Sequence, residues 1–94
     1  MYKCDLMISR TEDGFIHIGY EDLNVSVFGG GDYEVIYRFD ETNYKKLLEN
    51  LPKTTKTHTV DRLLEIFGER FDEEEFRKFC EKHDIKYKFW NMVH

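Results

Sequence analysis

The chain has 94 residues, 40% hydrophobic and 35% charged, enough for one compact domain with one core and too short for two, so residues 1–94 read as a single domain. A net charge of −5 without a continuous basic stripe argues against direct nucleic-acid binding, which needs cations to neutralise phosphates. No stretch approaches the ~20 apolar residues of a membrane span.

From Tyr2 to Phe39 apolar residues recur with period two, the mark of a half-buried antiparallel sheet. The sets are Tyr2/Cys4/Leu6/Ile8, Ile16/Ile18/Tyr20, Leu23/Val25/Val27 and Tyr33/Val35/Tyr37/Phe39, which predicts four strands. Keeping all four on one face fixes the parity of each hairpin, because a one-residue slip turns a strand inside out. Ile8 then faces Ile18, leaving Glu12-Asp13-Gly14 as a three-residue loop with glycine in the left-handed position. Tyr20 opposite Leu23 leaves a tight Glu21-Asp22 loop. Val27 opposite Tyr33 leaves Gly29-Gly30-Gly31, a hairpin corner: a strand follows these glycines where a phosphate-binding loop requires a helix N-terminus.

After Asp40 the period becomes helical. Asp40 is placed to cap a helix presenting Tyr44, Leu47, Leu48 and Leu51, and Pro52 stops it. The polar connector "KTTKTH" leads to Thr59 as the cap of a second helix, with Val60, Leu63, Leu64 and Phe67 inward and Gly68 closing it. Asp72 with Glu75 forms a capping box for a third helix, flanked by Phe71 and Phe76 as a hydrophobic staple. Ile85/Tyr87/Phe89 then alternate with Lys86/Lys88/Trp90 as a C-terminal fifth strand, its lysines suited to a sheet edge. The expected architecture is a two-layer α+β domain of order β-β-β-β-α-α-α-β, a four-stranded antiparallel meander followed by three helices and the fifth strand.

The sequence offers little for catalysis or cofactor binding. Cys80-x-x-His83 has a spacing that can place two metal ligands on one helical face, but no second half-motif accompanies it, and it reads as a packed thiol beside a helix-end histidine. The chain has no nucleophile elbow and no low-pKa cysteine context. The carboxylate pairs sit at a turn (Glu21-Asp22) and a helix start ("DEEE" from Asp72), where acids are expected for local reasons. No enzyme activity, cofactor or metal is therefore expected. Two cysteines, Cys4 and Cys80, at core positions and no leader-like apolar run point to a reduced, cytoplasmic protein without a disulfide.

The outward positions of the sheet are more informative. They include Met7, Phe15, Phe28, Ile36 and Trp90 among Lys3, Asp5, Glu34, Arg38, Lys86 and Lys88, with Phe15 expected across from Phe28. Aromatics ringed by charge are anchors of protein interfaces. The acid excess also lies in this half: residues 1–39 hold seven acids against three bases.

With "YRFDETNYKKLLENL" leading into the helices and Phe79-Cys80 followed by "HDIKYKFW", residues 33–90 look like a group of small α+β proteins from Gram-positive bacteria and their phages and mobile elements. The resemblance implies a fold and a setting. It implies no catalytic residue.

The expected function is a non-enzymatic, acidic protein-interaction module. Its binding residues are Phe15, Phe28, Ile36 and Trp90 with the acids Glu12, Asp13, Glu21, Asp22, Asp32 and Glu34, and its partner is another protein. In a sharper form it is a phage or mobile-element inhibitor of a host defence nuclease, anti-CRISPR-like, that covers a basic nucleic-acid channel. The rival reading is a small-molecule-binding or regulatory domain with a pocket lined by Tyr33, Tyr37, Tyr44 and His83. A third is a homodimer formed along the edge of the fifth strand.

Overall fold

The computed structural model describes residues 4–22, 33–69 and 71–93, with side chains described for 6–21, 34–69 and 71–91. Among these residues lie strands β1 (Cys4–Arg10), β2 (Ile16–Asp22) and β3 (Tyr33–Phe39), helices α1 (Glu41–Asn50), α2 (Thr59–Phe67) and α3 (Glu73–Lys82), and strand β4 (Lys88–Val93). The strands form one antiparallel sheet in the order β1-β2-β3-β4. The chain is therefore α+β, with a four-stranded antiparallel sheet and three helices among the described residues.

The first hairpin forms as the alternation requires. Ile8 lies abreast of Ile18, the Thr11 N–H donates to the Phe15 carbonyl at 2.8 Å, and Gly14 takes φ +88°, the left-handed position of a three-residue loop. The next expected pairing is not found. Tyr20 lies between Leu6 and Val35, not opposite Leu23, so β2 takes Tyr33–Phe39 as its direct neighbour. Period-two alternation decides which face a side chain takes but says nothing about which strand lies alongside, and Tyr33–Phe39 has the right parity for this position too. The strand expected at Leu23–Val27, Phe28, the glycines at 29–31 and Asp32 lie outside the described residues.

The C-terminal strand is thus the fourth among the described residues and lies at an edge of the sheet they form, though of the two expected lysines it contains Lys88 and not Lys86. It starts at Lys88, not Ile85. Ile85 instead closes α3: Asp84 takes φ +56°, its N–H donates to the Glu81 carbonyl at 3.2 Å, and the Ile85 N–H reaches back to the Cys80 carbonyl at 2.8 Å. This is a Schellman motif with aspartate in the position glycine usually holds. It buries Ile85 to 3% exposure.

The caps of α1 and α3 follow the sequence. An Asp40 carboxylate oxygen accepts from the Asn43 N–H at 2.7 Å, and one from Asp72 accepts from the Glu75 N–H at 3.2 Å. The cap of α2 does not: Thr59 is its first helical residue, and His58 precedes it with no side-chain capping bond.

One core lies between sheet and helices. Ile16, Ile18, Tyr20, Val35, Tyr37 and Phe39 point inward from the sheet, and Leu47, Leu51, Leu63, Phe67, Phe71, Phe76 and Cys80 meet them from the helical side. The Phe76 ring lies 5.0 Å from Phe71, 5.2 Å from Tyr37 and 5.4 Å from Phe67, centroid to centroid. Tilted and edge-on contacts of this kind add about 0.5–1.5 kcal/mol each beyond the area they bury. The Tyr37 hydroxyl leaves the core by donating to Glu73 at 2.7 Å. With the inner positions committed to the core, the sheet's alternate positions are left for its outer face.

Candidate protein-binding face

Because all strands pair in register, outward side chains fall into rows that cross the sheet. The first row is Ser9, His17, Arg38 and Lys88; the second is Met7, Gly19, Ile36 and Trp90; the third holds Glu21 and Glu34. The face is therefore zoned as cationic, apolar and anionic. Rows repeat every second residue, about 7 Å apart, and strands lie about 4.8 Å apart, so the lattice measures roughly 14 Å each way.

In the apolar row Met7 is 55% and Trp90 40% exposed, while Ile36 is half-buried. At its centre stands Gly19, on a strand flanked on both sides. With no side chain there, a depression of about 140 Å³ opens, lined by Met7, His17, Gly19, Glu21, Glu34 and Ile36 among others. The glycine has no structural requirement among the described residues: its φ is not positive, and a Cβ built there would meet only the Met7 carbonyl oxygen, at 4.0 Å.

Internal contacts hold the cationic row. The Arg38 guanidinium lies 3.8 Å over the centroid of Phe15 and its Nη2 donates to Asp13 at 3.2 Å. The Thr11 hydroxyl donates to the same Asp13 carboxylate at 2.5 Å. That hydrogen bond, with help from Arg38, holds the Asp13 pKa below the ordinary carboxylate range. The His17 ring meets the Trp90 ring edge-on at 5.8 Å. Its Nε2 and the Arg38 Nε are buried and have no hydrogen-bond partner among the described residues.

These positions rearrange the expected binding set. Ile36 and Trp90 are brought together in one row, abreast of each other. Glu21 and Glu34 are abreast in the next, with Asp22 following Glu21 along β2. Glu12 and Asp13 lie in the β1–β2 loop at the opposite end of the sheet, beside the cationic row, so the acids are divided between two ends and do not form one patch. Phe15 is half-buried with its ring under Arg38, and is not an exposed anchor. Its expected partner Phe28, and Asp32, lie outside the described residues.

Alternation alone does not distinguish Gly19 or His17 from other outward residues. A glycine at an outward position inside a well-patterned strand was the available signal, since such residues weaken a strand and often mark close approach by another molecule.

Of the residues named for a small-molecule pocket, Tyr37 and Tyr44 are packed in the core at 0% and 7% exposure. His83 ends α3 with its ring 4.5 Å from Phe79. The side chain of Tyr33 is not among those described. A second depression, about 250 Å³, lies between Phe15, Arg38, Asp40, Asn43, Lys86 and Lys88. Asn43 Oδ1 accepts the Lys86 N–H there at 2.8 Å, and Asp40 is engaged as a helix cap.

The Cys80 thiol is buried, and burial pushes its pKa up to about 12, the opposite of a reactive cysteine. Among the described residues no group of three or more His, Cys, Asp or Glu side chains is placed to hold a metal ion, and no helix is long and apolar enough to cross a membrane. No family model, no curated protein and no solved structure matches the chain.

Proposed function

We propose that this chain is a non-enzymatic protein-binding module whose docking surface is the outer face of the sheet, and that its partner presents a basic strip beside an apolar contact. The observation carrying this reading is the apolar row of Met7, Ile36 and Trp90 standing exposed or half-exposed between rows of opposite charge. Exposed apolar side chains scattered singly need no explanation. Here three share one row, with a carboxylate row on one flank, which is the arrangement of an interface core with a polar rim. The carboxylate row selects cations and so sets which way round a partner docks.

Size bounds the affinity. With side chains the face covers about 400 Å², half the ~800 Å² per partner of a standard interface. Docking on this face alone is micromolar and transient. Tight binding requires a hairpin end to take part. In its sharper form the partner is a host defence nuclease whose basic nucleic-acid channel is occupied by the acidic end of the sheet, and the chain is a phage or mobile-element inhibitor of that nuclease. Small size and net acidity support that form, and free DNA would then compete for the same partner.

Photo-crosslinking tests the surface. A benzophenone side chain placed at Met7 or Trp90, with Lys78 on α3 as the control position, is expected to capture one protein through a basic segment, less efficiently at high salt. Glu34→Lys in the same chain should abolish the capture. Equal capture at Lys78, or capture indifferent to Glu34→Lys, refutes the face.

A further inference from the structure

The depression over Gly19 does not follow from what the fold needs. Glycine inside a central strand weakens it, and the usual reasons for tolerating one are missing among the described residues: there is no left-handed backbone, and no neighbouring atom lies closer than 4.0 Å to where a Cβ would stand. A strand glycine of this kind often marks a place where another molecule comes close to the backbone. The walls say what kind of group that is. Met7 and Ile36 flank the gap along the apolar row, suiting a stack of methylenes, and Glu21 and Glu34 close one end with carboxylates.

We infer that the Gly19 depression is a socket for one long cationic side chain, a lysine or arginine, delivered by the partner. Its stem lies across Gly19 between Met7 and Ile36, and its head reaches the Glu34 and Glu21 carboxylates. A volume of about 140 Å³ admits a single side chain and not a folded element. An arginine fork matches the two oxygens of one carboxylate with parallel hydrogen bonds, so arginine is preferred over lysine. The stem explains why the gap sits in the apolar row, since such side chains bury their methylenes along apolar surface while the head keeps a polar partner. This inference rests on the outer face being the docking surface and names the residue type that anchors there.

The test uses the full chain, labelled with nitrogen-15, and blocked alanine pentapeptides whose central residue is arginine, lysine, norleucine or citrulline, titrated to ~10 mM, the range in which contacts of this size bind. The arginine peptide is expected to move the amides of Met7, Gly19 and Ile36 saturably, the lysine peptide more weakly, and the norleucine and citrulline peptides by less than a tenth as much. Glu34→Gln should weaken the arginine titration about tenfold, the loss of a charge-assisted hydrogen bond. Gly19→Val should abolish it while the spectrum stays dispersed, and if that variant does not fold, Glu34→Gln decides alone. Equal shifts from norleucine, no shift from arginine, or an arginine titration unchanged in Glu34→Gln overturns the socket. The titration needs no partner, so its failure is distinguishable from failure of the wider face: crosslinking at Trp90 without peptide shifts removes the socket alone, and peptide shifts without crosslinking remove the protein-docking face alone.

Discussion

Replacing Gly19 by alanine should make the protein more stable. The wild-type residue keeps conformational freedom in the unfolded chain that alanine lacks, and a strand-interior glycine is worse than alanine by roughly 0.5–1 kcal/mol. Against that gain the folded state sets no charge: the backbone at residue 19 is not left-handed, and the new methyl would stand 4.0 Å from the Met7 carbonyl oxygen, an ordinary contact. For a domain of this length the gain corresponds to a rise in Tm of about 2–8 °C. Thermal unfolding followed by circular dichroism, with urea midpoints at constant m, measures it. A fall in Tm, or a urea midpoint below that of the wild type, would show that glycine is needed by the fold. The depression would then be a by-product of packing, and the socket would lose its motive.

Two further predictions concern pH. Burial raises the Cys80 thiol from 9.0 to about 12, so the stability that goes with a neutral thiol is complete below pH 9 and is lost as pH rises towards 12. At 1.5 units above the unfolded value the loss is about 2 kcal/mol. Urea midpoints between pH 8 and about 10.5 should fall more steeply for the wild type than for Cys80→Ala, and parallel slopes would refute this. At the acid end, the Asn43 N–H holds the Asp40 carboxyl below its ordinary range. The stabilisation is present above that ordinary value and disappears as pH falls through the lowered one. Asp40→Asn should match the wild type at neutral pH but lose less stability as pH falls from the ordinary carboxylate value through the lowered one, because asparagine caps almost as well without titrating. Asp40→Ala should lower Tm by a few degrees at neutral pH, and an unchanged Tm would count against the cap.

Local interactions were the legible part of this fold. The Asp40 and Asp72 caps and the glycine in the first hairpin loop each depend on residues a few positions apart, whose types report their geometry directly, and the short loop carries the pairing of Ile8 with Ile18 along with it. Strand neighbours were not legible, because parity is shared by every strand of one face: β3 satisfies it beside β2 as well as it would beside an intervening strand. The start of β4 at Lys88 departs from the alternation for a related reason. Ile85 continues the alternation of Tyr87 and Phe89, but its burial belongs to the end of α3, where Asp84 makes the left-handed turn. The site was half legible. Ile36, Trp90 and Glu34 announce themselves by side chains that break the outward polar pattern or carry charge. Gly19 contributes an absence, and no hydropathy pattern registers a missing side chain. Phe15 went the other way: aromatic and outward by parity, it is taken up within the chain by a cation from β3.

The chain contains a single tryptophan, and β4 carries it at 40% exposure on the face assigned to docking, with every other aromatic a phenylalanine or tyrosine. The molecule thus comes with its own optical label at the place of interest. Selective excitation of that indole reports whether the face is wet or covered, without dye or mutation, and a blue shift on adding a candidate partner would announce contact before any complex had been isolated.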